Sequence, residues 1–317
     1  LRSIDLTGVE LTLCLLFDGC SDRSEAVAQE IEPALSFPVR RRSIAAGPLP
    51  SAGRARRAAM AMGRDVVGDG ADAILLSTDA DSYPRSDWVQ TSRRALARSD
   101  VAAGRIIRMD ADRDPTQCRI EAYFDRLHAV RRSIDPVAWD PSPGCHFGGG
   151  ANLAFRADVY RSLGGFKEVP AGEDAGLLDD AARAGFRVRR DPSMVVWTSS
   201  RRVGRAEGGL ATMLGASARG VVPAVADPTA ALWQYEHHAA ARRAFADRHD
   251  AAARAAFGRK IGLSGDHVLG VARECINAEA FAMRIVPAAV NHDALISLDR
   301  AEMMLSAVER TLWRGAA

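Results

Sequence analysis

Apolar and polar positions follow two rhythms along the first two thirds of the chain. Short apolar runs of strand length alternate with longer stretches of helical period. Residues 9–17 (Val-Glu-Leu-Thr-Leu-Cys-Leu-Leu-Phe) read as a strand that ends in Asp18-Gly19-Cys20-Ser21-Asp22. A helix follows over 23–35, with Ser21 or Asp22 as its N-cap. Residues 38–44 read as a short strand, Gly47-Pro-Leu-Pro50 as a loop, and 53–67 as a helix rich in Ala and Arg. Ala73-Ile-Leu-Leu-Ser-Thr-Asp79, with Gly70 before it and Pro84 after it, reads as a buried strand. Then come a helix over 86–98, a strand over 101–109 and a helix over 116–133. A loop at 140–143 leads to Gly148-Gly149-Gly150, and a short helix over 157–163 stops at Gly164-Gly165. Gly172-Glu173-Asp174 opens a helix running through Ala184, and 187–190 and 194–198 read as strands. From residue 208 the pattern is helical, broken at Pro223, Pro228 and Pro287.

Strands alternating with helices predict an α/β fold with a mostly parallel central sheet flanked by helices. The change of pattern predicts a domain over 1–207 and an α-helical extension over 208–317, with no internal repeat.

Composition narrows the function classes. The chain has 317 residues, 47% of them hydrophobic, which suffices for one large α/β domain with an extension. With 42 basic against 40 acidic residues the net charge is +2, so nothing favours nucleic acid as a partner. The basic residues are nearly all Arg, clustered at 40–42, 54–57, 187–190 and 201–205. Arg forks suit phosphate and carboxylate, although 40–42 reads as a solvated face. Five cysteines without a C-x-x-C pair indicate neither zinc nor a disulfide scaffold and fit a reducing cytoplasm. No apolar run approaches the ~18 residues of a membrane span, which leaves peripheral contact at the inner face as the membrane role to consider. His237-His238 read as surface residues of the tail.

The candidate chemistry lies at strand ends. Asp79 and Asp81 follow an apolar run, and in open α/β sheets ligands bind beyond the carboxyl ends of the strands. Two close carboxylates repel unless a cation joins them. Oxygen ligands suit Mg²⁺ or Mn²⁺, ions that also hold substrate phosphates. By itself such a D-x-D fits a polar strand end equally well. Asp18 fits an Asx-turn as well as a ligand site. Gly148 to Gly150 fit a plain turn or a close backbone approach, and Glu173 and Asp174 fit a helix start.

Several of these pieces occur in an order that resembles family 2 glycosyltransferases, bacterial enzymes with the GT-A fold, over roughly 9–210. Phe17-Asp18-Gly19-Cys20-Ser21-Asp22 is similar to the family's D-G-S-x-D nucleotide-binding turn. Gly53-Arg-Ala55-Arg-Arg57-Ala58 is similar to its G-x-A-x-A-R-N helix start, without the Asn. Ser77-Thr-Asp79-Ala-Asp81 resembles the D-x-D metal motif. Gly149-Gly-Ala-Asn152-Leu-Ala-Phe155-Arg156, then Gly164-Gly165-Phe166, resembles its G-G-x-N-x-x-x-R…G-G-F segment. Gly172-Glu173-Asp174 resembles its E-D motif, and Thr198-Ser-Ser-Arg201-Arg202-Val-Gly204-Arg205 a motif of a bacterial subgroup. The family's opening strand has no counterpart here. Upstream residues, Arg2 to Leu6 or the tail are the expected substitutes.

The resemblance implies an inverting transferase that moves a sugar from a nucleoside-diphosphate sugar, UDP-sugar favoured, to an acceptor hydroxyl. Asp174 is then the general base and Glu173 orients the acceptor or Asp174. Asp81 holds Mn²⁺ or Mg²⁺, and Asp79 the ribose or the metal. Asp18, Arg57, Gly149, Gly150, Arg201 and Arg205 line the donor site. A sugar-phosphate nucleotidylyltransferase and a non-catalytic nucleotide-sugar-binding protein are the alternatives. The tail is expected to cover the acceptor, touch a membrane surface or form a homodimer through its helices.

Overall fold

The computed structural model describes residues 2–68, 70, 72–109, 114–204, 209–220 and 222–314. The chain divides into two compact units: residues 1–111, 147–179 and 188–215, and residues 112–146, 180–187 and 216–317.

In the first unit, strand β1 (Leu13–Asp18) leads through helix α1 (Ser24–Ile31) to strand β2 (Val39–Ile44), and β1 and β2 pair in parallel. Arg40, Arg41 and Arg42 are exposed on β2, where charged side chains discourage further edge pairing. Helix α2 (Ala52–Val67) starts at an N-cap, Ser51, whose hydroxyl accepts from the Arg54 N–H at 3.1 Å. Strand β3 (Ile74–Ser77) follows, then β4 (Ser82–Pro84), helix α3 (Trp88–Leu96) and β5 (Val101–Arg108). Strand β6 (Leu153–Arg156) comes next, helices α5 (Ala157–Ser162) and α6 (Glu173–Arg183) follow it in the chain, and β7 (Val188–Thr198) joins the same sheet ahead of helix α7 (Leu210–Ala218).

The five-stranded sheet has the order β3-β6-β5-β7-β4. Its pairs β3·β6, β5·β6 and β4·β7 are antiparallel, and only β5·β7 is parallel. The class is α/β, but the expected mostly parallel sheet is a mixed one. The reason is two short strands, β4 and β6, that the hydrophobic pattern does not announce and that run antiparallel to their neighbours. β7 is one strand rather than two, because its register against β5 shifts between Gly104 and Arg105 and absorbs the extra residues near Pro192. Residues 4–9 form no strand. Ile4, Leu6 and Val9 pack on Trp88, Val89 and Val196, and Asp5 N–H donates to the Ser86 carbonyl at 2.7 Å.

The second unit is mainly helical. Helix α4 (Pro115–Ile134) belongs to it, as do α8 (Pro228–Ala246), α9 (Ala251–Ile261), α10 (Gly265–Glu274), α11 (Ala278–Ile285) and α12 (Leu298–Arg314). One apolar cluster joins α4 to Leu298, Ala301 and Leu305 of α12, and another gathers Phe257, Val268 and Phe281. Strands β8 (Val225–Ala226) and β9 (Leu295–Ile296) pair antiparallel as a short ladder between the helices. His237 and His238 are buried rather than superficial, since α8 packs against α4, α9 and α11. His237 bonds through Nδ1 to the Trp233 carbonyl, and His238 pairs with Gln234 at 3.0 Å. No helix among the described residues is long and apolar enough to cross a membrane.

Candidate active site

The sequence-predicted residues that the structure describes lie in the first unit: Asp18 at the end of β1, Arg57 in α2, Asp79 and Asp81 beyond β3, Gly149 and Gly150 in the turn before β6, Glu173 and Asp174 at the start of α6, and Arg201 beyond β7. Beyond β3 the chain turns at Asp79, whose carbonyl accepts from the Ser82 N–H at 3.0 Å. Asp81 is held by its own carbonyl, which accepts from the Ser199 N–H at 3.2 Å. Its Oδ2 lies 3.3 Å from Arg201 Nη2, an exposed contact of small energetic weight. Asp18, at the end of β1, pairs with Arg54, which also donates to the Ala45 carbonyl at 3.0 Å.

The turn at 148–152 is pinned by Asn152, which is fully buried. Its Oδ1 accepts from Trp88 Nε1 at 2.8 Å, and its Nδ2 donates to the carbonyls of Arg105 at 2.9 Å and Met194 at 3.0 Å. A buried amide satisfied at every group fixes its backbone strongly. The preceding glycines leave room for neighbours: a Cβ on Gly149 would stand 2.9 Å from Ile106 Cδ1, and one on Gly150 would overlap the Arg56 guanidinium.

Arg56 is the centre of the site, and the sequence reading missed it. Its Nε donates to Glu173 Oε1 at 2.8 Å and its Nη2 to Asp79 Oδ1 at 2.5 Å. Its Nη1 donates to the Gly150 carbonyl at 2.8 Å and to Ser77 Oγ at 3.2 Å. Burial works against the charge of Arg56, but Asp79 and Glu173 more than offset it and hold its pKa above the ordinary value. The Glu173 side chain is 4% exposed and that of Asp79 37%, so one faces inward and the other reaches solvent. Helical spacing was the available signal. Arg56 stands three residues after Gly53 and four before Met60, both buried, and so on the inward stripe of α2. An Arg on such a stripe needs carboxylate partners.

Asp174 is fixed by backbone alone. Its Oδ2 accepts from the Gly150 N–H at 2.8 Å and its Oδ1 from the Ala175 N–H at 2.8 Å. Thus Asp79, Glu173, Asp174 and Gly150 meet at one place. Arg57 goes elsewhere: it donates to the carbonyls of Gly164 at 2.7 Å and Phe166 at 2.9 Å, securing the turn after helix α5. Arg205 lies outside the described residues. Trp197 packs against Tyr83 with ring centroids 6.0 Å apart.

The donor set suits a hard dication only in part. Asp79 and Asp81 each give one oxygen to an arginine and keep the other. Among the described residues no group of three or more His, Cys, Asp or Glu could enclose a metal. Mg²⁺ and Mn²⁺ commonly take one or two carboxylates and complete their shell with phosphate and water, and the pair fits that mode.

No protein-family model and no curated protein matches this chain. Solved structures of glycosyltransferases do resemble it. The mannosyltransferase PcManGT from Pyrobaculum calidifontis, in complex with GDP-Man and Mn²⁺, is 16% identical, with 89% of this chain and 78% of that one covered and a TM-score of 0.45. Residues 1–349 of S. aureus TarS, in complex with UDP, are 13% identical over 89% of this chain and 82% of that one, at a TM-score of 0.44. Against a longer TarS structure the match covers 62% of this chain and spans 32% of that one, at 13% identity and a TM-score of 0.42.

Proposed function

We propose that the chain is an inverting glycosyltransferase that moves a sugar from a nucleoside-diphosphate sugar to an acceptor hydroxyl. The observation that carries this reading is the junction of Asp79, Glu173, Asp174 and Gly150 around Arg56. It sets a strand-end carboxylate suited to a donor beside a second carboxylate suited to a proton.

In this reading Asp18 hydrogen-bonds the base or ribose, Asp79 the ribose, and Gly149 and Gly150 admit the donor close to the backbone. Arg201 would clamp the diphosphate, a role the sequence resemblance extends to Arg205. Mn²⁺ or Mg²⁺, held by Asp81 with Asp79, would supply neutralising charge for the departing diphosphate. The acceptor oxygen attacks the anomeric carbon as Asp174 takes its proton. The new C–O bond forms while the bond to the diphosphate breaks, with inversion. Arg57, bound to two carbonyls, contributes to the donor site through the turn after α5. UDP is the favoured carrier. A cytoplasmic location and a homodimer through the C-terminal helices belong to the same proposal, and light scattering tests the second.

One observation favours a second reading, a non-catalytic nucleotide-sugar-binding protein: Asp79 and Asp81 each already have an arginine partner. Calorimetric titration with UDP, GDP and dTDP, with and without Mn²⁺, followed by assay of the matching sugar nucleotide, separates the two. Metal-dependent binding with release of the free nucleotide supports the transferase, binding without turnover the binder. Binding of none of the three overturns both.

A further inference from the structure

Arg guanidinium is a rigid fork of five N–H donors, and at Arg56 the contacts run to four partners on four segments. Nε reaches Glu173 at the start of α6 and Nη2 reaches Asp79 beyond β3. Nη1 reaches Ser77 in β3 and the carbonyl of Gly150 in the turn before β6. Ser77 Oγ donates to that same carbonyl at 2.8 Å, so the Gly150 carbonyl is gripped from two sides. The N–H of Gly150 in turn donates to Asp174 Oδ2 at 2.8 Å. A continuous chain of contacts therefore runs from Asp79 through Arg56 and Gly150 to Asp174.

We propose that Arg56 is a positioning residue that couples the donor side of the site, at Asp79, to the acceptor side, at Glu173 and Asp174. This rests on the transferase reading for the names of the two sides. Without Arg56, Glu173 would be a buried carboxylate without its cation, and the Gly150 turn would lose its tie to α2 and keep only the Ser77 hydroxyl on its carbonyl. Lysine at this position offers one compact charge and cannot reach Glu173, Asp79 and Gly150 together. Displacement of a reacting group by about 1 Å can cost ~10²-fold in rate.

Two measurements on the full chain test this. The first is the ¹⁵N–¹H signal of the Arg56 side-chain Nε–H at neutral pH. A bond to buried Glu173 predicts a resolved, slowly exchanging signal that Glu173→Gln shifts and speeds, and that Asp79→Asn also shifts. An Nε–H that exchanges like an exposed arginine, or that ignores both substitutions, overturns the proposal. The second is turnover of the sugar nucleotide identified by the titrations. Arg56→Lys is expected to lose ~10²-fold in kcat with donor KM changed less than ~3-fold, a split that a merely structural role would not give. An Arg56→Lys enzyme with kcat within ~2-fold of wild type, or with losses that track its unfolded fraction, overturns it as well. Should the wild type turn over no sugar nucleotide, the transferase reading falls, and the Nε–H signal still decides whether Arg56 ties these carboxylates together.

Discussion

Replacing Asp174 by Asn separates position from proton transfer. Both carboxylate oxygens of Asp174 accept backbone N–H groups, Gly150 on Oδ2 and Ala175 on Oδ1, each at 2.8 Å. The amide of Asn keeps one acceptor, which can stay on Gly150, and turns an NH₂ toward Ala175. One exposed hydrogen bond is lost and the other loses its charge assistance, about 1–2 kcal/mol in stability. In the proposed mechanism the proton acceptor is lost altogether. A general base contributes ~10²- to 10⁴-fold, equivalent to about 3–5 kcal/mol in the barrier. Nucleotide affinity should change less than ~3-fold, because the role proposed for Asp174 is on the acceptor and not on the donor. The assay is paired: urea denaturation for folding, calorimetry for nucleotide binding, and single-turnover kinetics for transfer. Asp81→Ala is the contrast, expected to weaken metal-dependent nucleotide binding. A kcat for Asp174→Asn within tenfold of wild type, or equal loss of nucleotide binding in both variants, would refute the division of roles.

Gly150→Ala should displace the Arg56 guanidinium, since a Cβ there overlaps it; a loss of about 2–4 kcal/mol in urea unfolding is expected, and a loss below 1 would show that the turn can yield. Asn277 caps α11 by accepting from the Ala280 N–H at 2.9 Å and donates to the Gly185 carbonyl at 2.7 Å, so Asn277→Ala should cost ~1–2 kcal/mol by the same assay. Burial, with Arg131, Arg242 and Arg183 nearby, lowers His238 from 6.5 to about 3. A folded-state value below the unfolded one means the unfolded chain takes up the proton first. Stability is therefore full above pH ~6.5 and falls as pH drops toward ~3, by up to roughly 4–5 kcal/mol. Urea midpoints for wild type and His238→Gln between pH 7 and 4 check this, with the variant expected to be flatter and parallel curves counting against it.

Much of the site is legible because strand ends and helix starts are written locally. The apolar run before Asp79, the glycines before Asn152 and the acids after Gly172 mark their elements without tertiary information. That Gly150 and Asp174 touch is a tertiary fact, and order along the chain hinted at it only through resemblance. Strand direction was less legible. β4 has three residues and β6 four, too few for a period to show, and both run against the helix-crossover pattern that suggests parallel pairing. Local composition also misled at His237-His238, where a run of alanines and arginines reads as solvated. The spacing Gln234–His238–Arg242 was the better guide. These residues share one face of α8, where Gln234 pairs with His238 and Arg242 bonds Asp135 and Glu279.

The pairing of charges decides which carboxylate in the site is fit to receive a proton. Asp18 is held by Arg54 and Asp79 and Glu173 by Arg56, while Asp81 has a weaker, exposed contact with Arg201. An arginine partner occupies carboxylate lone pairs and orients the group toward the guanidinium. Asp174 has no arginine partner among the described residues and is held by two neutral backbone N–H groups. Each of its oxygens has capacity for a further bond, since an ionised carboxylate offers about four lone-pair sites. The group is thus fixed without being consumed. A proton acceptor in a displacement reaction needs that combination, and in the proposed mechanism the four arginine-paired carboxylates bind and orient instead. The ordering is testable as a set: neutral amide replacements at Asp18, Asp79, Glu173 and Asp174 should give the largest loss of kcat relative to nucleotide affinity at Asp174. A larger ratio at any of the other three would move the proton acceptor there.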